Sequence, residues 1–155
     1  MNLPKRLETE VSAWRDVSVH PHRFGGTEFQ FADAEVGHVH TNGTVDIPFP
    51  RSVRDALLAR GLAEEHRWVP NSGWITFRMR REEDLSHALW LMRLSYLRYA
   101  LKHSPDPQKL LEEEGEELRL NAQIKSLLEP FVPKTANYIS AARSQPQEAT
   151  APNAK

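Results

Sequence analysis

The stretch TEFQFADAEVGHVHTNGTVDIP, residues 27–48, decides the fold of this chain. Apolar residues alternate with polar ones in residues 27–31, which is typical of a strand with one buried face. Residues 35–41 are predicted as a second strand. The Asn-Gly pair at residues 42–43 is the strongest short signal for a hairpin, and it leads into a third strand over residues 44–47. The stretch therefore predicts a meander of three antiparallel strands.

Apolar periodicity predicts further elements on both sides of this meander. They are, in chain order, a short helix after Pro4, a helix from Pro50 to Gly61, short strands over residues 66–69 and 74–80, and a long helix over residues 84–102. The long helix carries apolar residues on two faces, so we expect it to be buried on two sides or to present one side to a partner. Together the elements predict an α+β fold, an antiparallel sheet of about five strands with helices packed on one face.

Composition divides the chain into three parts. Residues 1–104 hold eleven of the thirteen aromatic residues and are predicted as the α+β core domain. Residues 105–131, with three basic and seven acidic residues, are predicted as an acidic helical extension that packs on the core, with a bend at Gly115. Residues 132–155 are rich in Ala, Pro, Gln and Ser, which predicts a disordered tail. The extension would cover the second apolar face of the long helix within one monomer; alternatively, two long helices meet in a homodimer.

Composition also excludes several classes of function. The 155 residues include no cysteine, so disulfides, cysteine-ligated zinc, iron–sulfur clusters and thiol nucleophiles are ruled out. The formal net charge of −1 argues against nucleic acid as a partner. The longest apolar run, residues 88–92, is far too short for a membrane span. The first 30 residues carry charges throughout and no secretory signal, so we expect a cytoplasmic protein with no membrane contact.

Strand alternation groups the polar side chains of the sheet on the face away from the helices. His38 and His40 share one face with Val36, and two assignments are open because Val39 points the other way. We place Val39 in the core and both histidines on the open face, since burial of two imidazoles would need two sets of hydrogen-bond partners. The candidate ligand-binding residues on the open face are Glu28, His38, His40, Asp46, His66, Trp74 and Arg78.

Four short motifs occur in the order and spacing of a known family. They are FGGTEF at residues 24–29, EVGHVH at 35–40, DIP at 46–48 and SGW at 72–74, accompanied by Arg54, His66, Pro70 and Tyr96. On these motifs the chain resembles a small bacterial and fungal family, the luciferase domain family, over roughly residues 14–99. The resemblance implies a shared fold. It implies no reaction and no catalytic residue, and the family name does not imply light emission.

Two functions of different classes are open for this face. The leading hypothesis is a non-catalytic binding module for a small anionic ligand or a protein partner. In it Arg78 binds the anionic group, Trp74 gives apolar contact, and Glu28 and the two histidines supply hydrogen bonds. The alternative is a hydrolytic enzyme centred on His38, His40 and His66, in which imidazoles oriented by carboxylates act as acid and base, with or without a metal.

Metal binding is a separate question for the same face. His38 and His40 offer two imidazoles on one side of a strand, a ligand type that suits zinc or another divalent ion. Further donors are Glu28, Asp46 and His66. No third ligand has diagnostic spacing, so histidines hydrogen-bonded to carboxylates are the better interpretation; we predict no cofactor and keep a divalent metal as the alternative. His20 and His22 flank a proline, which indicates an exposed loop.

Overall fold

The computed structural model describes residues 2–134, and within them it shows five α-helices, one short 3-10 helix and six strands. In chain order the elements are α1 (Leu3–Ser12), β1 (Val17–Pro21), β2 (Thr27–Phe31), β3 (Ala34–Val39), β4 (Thr44–Pro48), α2 (Arg51–Ala59), β5 (Glu64–Glu65), β6 (Trp74–Arg78), α3 (Asp84–His103), α4 (Pro107–Glu117), α5 (Ala122–Leu128) and the 3-10 helix (Glu129–Phe131). The predicted tail from residue 135 onward lies outside the described residues. No helix within residues 2–134 is long and apolar enough to cross a membrane.

The strands form one antiparallel sheet in the order β1-β2-β3-β4-β6-β5. The fold is therefore α+β, as predicted, with six strands instead of about five. The additional strand is β1, an edge strand that apolar periodicity does not predict because its side chains are mostly exposed and bury little apolar surface. The predicted strand at residues 66–69 is wrong. After β5 the chain turns, Trp68 and Val69 are exposed, and the Trp68 N–H donates to Nδ1 of His66 at 3.1 Å instead of to a strand.

The hydrophobic core lies between the sheet and α3. The inward residues of the strands are almost completely buried, at 2% exposure or less; they are Phe29, Val39, Val45, Ile47 and Ile75. Gly37 on β3 allows α3 to approach closely, because a Cβ there would lie 2.8 Å from Sδ of Met92. Burial of each such large apolar side chain contributes about 2 kcal/mol, so this layer accounts for much of the stability of the fold.

The acidic extension forms two helices, α4 and α5. The far side of α3 is covered by α4 and the 3-10 helix, while α5 packs against α2 and α4. Leu94, Leu97 and Leu101 of α3 are completely buried and share one core with residues of the extension. The indole N–H of Trp90 donates to the Leu118 carbonyl at 3.0 Å. Both apolar faces of α3 are thus covered within one chain.

The break between α4 and α5 differs from the expected bend. Gly115 is an interior residue of α4, packed beside Lys125. The helix ends instead after Glu117, and Arg119 adopts the left-handed conformation with φ 52°. A residue in that conformation cannot continue a right-handed helix, so the break falls at residues 118–121.

A β-bulge in β3 changes which side chains face the core. In the pairing with β2, Phe29 opposes Gly37 and Gln30 opposes Glu35, so Val36 is an extra residue. The bulge interrupts the alternation, and Val36 is completely buried in the core. The prediction that Val36 shares the open face with the histidines is therefore wrong.

Candidate functional site

One row of directly opposed residues crosses the open face of the sheet. It runs through His20, Glu28, His38, Asp46, Thr76 and Glu64, one residue from each strand. Opposed residues on neighbouring strands point to the same side, so the register alone brings an imidazole, a carboxylate and a hydroxyl together at the centre of the sheet. His40 lies beside this row, opposite Thr44. The backbone N–H of His40 donates to the backbone carbonyl of Thr44 at 2.8 Å.

Asp46 is the centre of a cluster of imidazoles. Its Oδ2 lies 3.2 Å from Nε2 of His38 and 2.7 Å from Nε2 of His40. Its Oδ1 accepts a hydrogen bond from the Thr76 hydroxyl at 2.6 Å and lies 3.4 Å from Nε2 of His66. Three imidazoles therefore surround one carboxylate that exposes only 5% of its surface. We call His38, His40, Asp46 and His66 the histidine cluster.

Glu35 supports the cluster from behind, and the bulge is what places it there. With Val36 turned into the core, Glu35 returns to the open face opposite Gln30. Its Oε1 lies 2.6 Å from Nδ1 of His38. The His38 ring is thus held at both nitrogens, by Glu35 at Nδ1 and by Asp46 at Nε2. Glu35 is not among the predicted site residues, because strict alternation would place it on the opposite face from His38.

The charges of the cluster follow from these contacts. Burial lowers the pKa of His38, but its hydrogen bonds to Asp46 and Glu35 and their negative charges outweigh burial and raise this pKa to about 9. Burial raises the pKa of Asp46, whereas hydrogen bonds with His38, Thr76 and His40 outweigh burial and hold this pKa well below its usual range. Without a bound cation, His38 is an imidazolium between two carboxylates at neutral pH.

His22 belongs to the site, although its sequence context predicted an exposed loop. It is half-buried, and its ring stacks on that of His38 with centroids 3.7 Å apart. Burial lowers the pKa of His22, and the positive charge of His38 lowers it further. The chain turns back from β1 into β2 at Gly25-Gly26, and this glycine pair is the sequence signal for the turn. Both glycines have positive φ, and a Cβ on Gly26 would lie 2.1 Å from the Val39 carbonyl oxygen.

The histidine cluster lines a cleft of about 1360 Å³ on the open face. Trp74 borders the cluster, with its ring centroid 5.5 Å from that of His38 and 6.0 Å from that of His66. Phe24 and Trp68 also line the cleft and are largely exposed, at 79% and 77%. The cleft therefore combines a polar, imidazole-rich region with aromatic surface that solvent reaches.

A buried arginine of α2 holds the segment that carries His66. The Arg54 guanidinium donates to Oε1 of Glu65, and the same oxygen accepts the Asn71 N–H at 3.1 Å. Since His66 follows Glu65 directly, this contact fixes one side of the cleft. At the start of β6 the chain passes so close to Phe49 that only glycine fits at residue 73. A Cβ on Gly73 would lie 1.8 Å from the Phe49 carbonyl oxygen.

The structure brings together most of the predicted site residues. His38, His40, Asp46, His66 and Trp74 are neighbours. Glu28 lies directly opposite His38 but is not among the residues that line the cleft, and Arg78 lies further along the same face. The carboxylate of Glu28 accepts a hydrogen bond from the Gln30 amide at 2.5 Å. Arg78 is exposed, opposes Thr44 and lines the cleft; among residues 2–134 it has no ion-pair partner.

Comparison with known families gives one match. The family model of the luciferase domain matches residues 33–95, a narrower range than the motifs indicated. No curated protein and no solved structure matches the chain. The matched residues run from β3 into α3 and include the whole histidine cluster, while His22 precedes them. The comparison confirms the resemblance to the luciferase domain family that the motifs predicted, over residues 33–95.

Proposed function

We propose that the cleft on the open sheet face binds a small molecule with an anionic group attached to a flat apolar part. The observation that carries this proposal is that an indole, imidazoles and a guanidinium without an ion-pair partner among residues 2–134 line one accessible cleft. A pocket with a large apolar surface and a few placed polar groups is the usual form of a small-molecule site.

Each part of such a ligand has a matching group in the cleft. The Arg78 guanidinium is the natural partner for a carboxylate or phosphate, because its N–H groups bind two oxygens at once. The half-buried Trp74 ring offers a flat apolar surface. His40, whose side chain is 28% exposed, supplies a further hydrogen bond from the cluster.

Calorimetry with 2-naphthoate, using 2-naphthamide as its neutral counterpart, tests the proposal. We expect the wild-type protein to bind the carboxylate more tightly than the amide, and the double variant Trp74→Ala/Arg78→Ala to lose this binding. Arg51→Ala, which removes an exposed arginine on the helix side of the molecule, is the control and should bind like the wild type. Equal binding by the wild type and the double variant, or no preference for the carboxylate, contradicts the proposal.

A hydrolytic activity of the histidine cluster is the second candidate. The observation that favours it is that three imidazoles lie within 3.4 Å of Asp46 in an accessible cleft. A carboxylate that orients an imidazole is the usual arrangement for general acid–base catalysis. Hydrolysis of p-nitrophenyl acetate, with His40→Gln as the variant, is the direct measurement. A rate that is the same for the wild type and His40→Gln removes this candidate.

A further inference from the structure

We propose that His38, His40 and Asp46 bind one divalent transition-metal ion, best suited to zinc, with a fourth coordination position open to the cleft. This site does not depend on the ligand proposed above. Two imidazole nitrogens and one carboxylate oxygen are a typical ligand set for a zinc site that keeps one position free.

The spacing of the three donor atoms fits a shared ion. Nε2 of His38 and Nε2 of His40 lie 3.2 Å and 2.7 Å from the same oxygen, Oδ2 of Asp46. One donor atom from each of the three residues lies within 4.8 Å of the donor atoms of the other two. Donor atoms that each lie about 2.0–2.2 Å from a tetrahedral zinc ion are roughly 3.3–3.6 Å apart. An ion can therefore replace the hydrogen bonds of the cluster with small movements of the side chains.

The orientation of the two rings supports convergence on one point. The rings of His38 and His40 are nearly perpendicular, at 85°, with centroids 4.9 Å apart. Because the lone pair of an imidazole nitrogen lies in the ring plane, two perpendicular rings can direct their lone pairs at one ion from different sides.

Each of the two least exposed donors also has an outer partner of the kind that metal ligands have. Glu35 lies 2.6 Å from Nδ1 of His38 and would keep the proton on Nδ1 when an ion displaces the proton from Nε2. The Thr76 hydroxyl donates to Oδ1 of Asp46 at 2.6 Å and so turns Oδ2 toward the histidines. A carboxylate behind a histidine and a hydroxyl behind a carboxylate orient ligands and tune metal affinity.

The charge balance points the same way. Within residues 2–134, the ion-pair partners of Asp46 and Glu35 are imidazoles and include no lysine or arginine. Two largely buried carboxylates without a permanent cation favour a bound divalent ion, which would neutralise both.

A second set of donors, His22, Glu35 and His38, is less suitable. The rings of His22 and His38 are stacked at 23°, so their lone pairs lie in nearly parallel planes and do not meet at one point between the rings. Using Nδ1 of His38 as a ligand would also displace its contact with Glu35. We therefore assign the ion to the side of Asp46.

The test measures zinc binding by tag-free full-length protein. Metal is removed with a chelator, the protein is dialysed against micromolar ZnCl₂, and bound zinc is counted by mass spectrometry. We expect one zinc per chain and a rise in the melting temperature, because an ion that binds only the native state stabilises it. Co²⁺ should give visible absorption bands of a site with nitrogen and oxygen ligands.

Three variants locate the ion. His40→Gln removes a ligand from a part-exposed position, and we expect it to abolish stoichiometric binding and the cobalt bands. Thr76→Val removes only the outer hydroxyl, and we expect about 10- to 100-fold weaker binding. His20→Gln changes an exposed histidine of the same row and should bind like the wild type. Circular dichroism verifies that each variant is folded, and Asp46→Asn serves as a second ligand variant if His40→Gln is not folded.

Two results overturn the proposal. One is a wild-type protein that binds no zinc at micromolar concentration and shows no shift in melting temperature. The other is a folded His40→Gln or Asp46→Asn variant that binds zinc like the wild type. Arg78→Ala separates this site from the proposed anion site, since it should keep full zinc binding and weaken only the binding of 2-naphthoate.

Discussion

The two faces of the sheet are built from the same strands but serve different purposes. Toward α3, Phe29, Val45 and Ile75 are completely buried and belong to the hydrophobic core. On the other side, Asp46 and Thr76 belong to a network of charged and polar contacts that lines a cleft. Neighbouring residues of one strand therefore contribute either to folding or to the site. Substitutions on the two faces should have separable effects, and the following predictions test this, from the largest effect to the smallest.

Removal of the acidic helices should have the largest effect. A chain that ends at residue 104 loses α4 and α5 and exposes Leu94, Leu97 and Leu101 of α3. An apolar patch of that size is unusual on a soluble monomer, so we expect aggregation or new dimers on a sizing column.

The control for this truncation is a chain that ends at Lys134, which keeps every described element. We expect it to elute and melt like the full chain. A soluble, monomeric chain ending at residue 104 with an unchanged melting temperature would show that the extension is not needed to cover α3.

The next effect compares two adjacent residues of β2 that point to opposite faces. Phe29→Ala should lower the free energy of unfolding by about 3–5 kcal/mol, because it leaves a cavity in the core. Glu28→Ala should change it by less than about 0.5 kcal/mol, since Glu28 is only half-buried and its side chain forms a hydrogen bond with Gln30 rather than with a core residue. Urea unfolding measures both. Similar losses in the free energy of unfolding for the two variants would mean that the open face stabilises the fold as much as the core face does.

The alternation of inward and outward residues in β2 also shows how far the sequence predicts the fold. The period of two in residues 27–31 and the Asn-Gly turn predict the meander correctly, because the side-chain direction in a strand depends only on local backbone geometry. Val36 is the exception. The bulge that turns it inward depends on pairing with β2, and a pairing distortion leaves no mark in the period of one strand.

The site is less predictable than the fold, for a similar reason. Asp46 and His38 follow from alternation in two predicted strands, whereas His22 and Glu35 reach the cluster through a glycine turn and a bulge. His66 was assigned to a strand that does not form, and the Arg54–Glu65 contact brings it to Asp46 instead. Contacts made by loops depend on the whole tertiary structure, so local pattern does not reveal them.

A change of pH should separate the two faces next, because the buried His38–Asp46 pair lies on the open face. The pKa of His38 rises from 6.5 to about 9 on folding, so the contribution of this group to stability is complete below pH 6.5 and is lost as the pH rises through 9. For chelator-treated protein we expect a loss on the order of 2 kcal/mol between pH 6.5 and pH 9.5. Asp46, whose pKa is lowered, has its effect at acid pH, where stability falls as the carboxylate is protonated.

Urea unfolding at a series of pH values measures this loss, with His38→Gln as the comparison. The variant has no imidazole at this position, so its stability should change much less across the same range. An equal alkaline loss in the wild type and His38→Gln would assign the effect to another group.

A small effect on stability is also expected at the exposed part of the cleft. The Trp68 side chain is 77% exposed, and its ring packs beside Arg67, with the guanidinium carbon 5.1 Å from the ring centroid. Exposed pairs of this kind contribute about 0.5–1 kcal/mol at most. Trp68→Ala should therefore change the free energy of unfolding by no more than about 0.5–1 kcal/mol, while it removes aromatic surface from the cleft and weakens the binding of 2-naphthoate by about two- to fivefold. Calorimetry and urea unfolding on one preparation measure both quantities. A loss of stability above 2 kcal/mol with unchanged binding would show that Trp68 stabilises its loop and does not contact the ligand. The division between a stabilising face and a binding face would then apply to the strands alone.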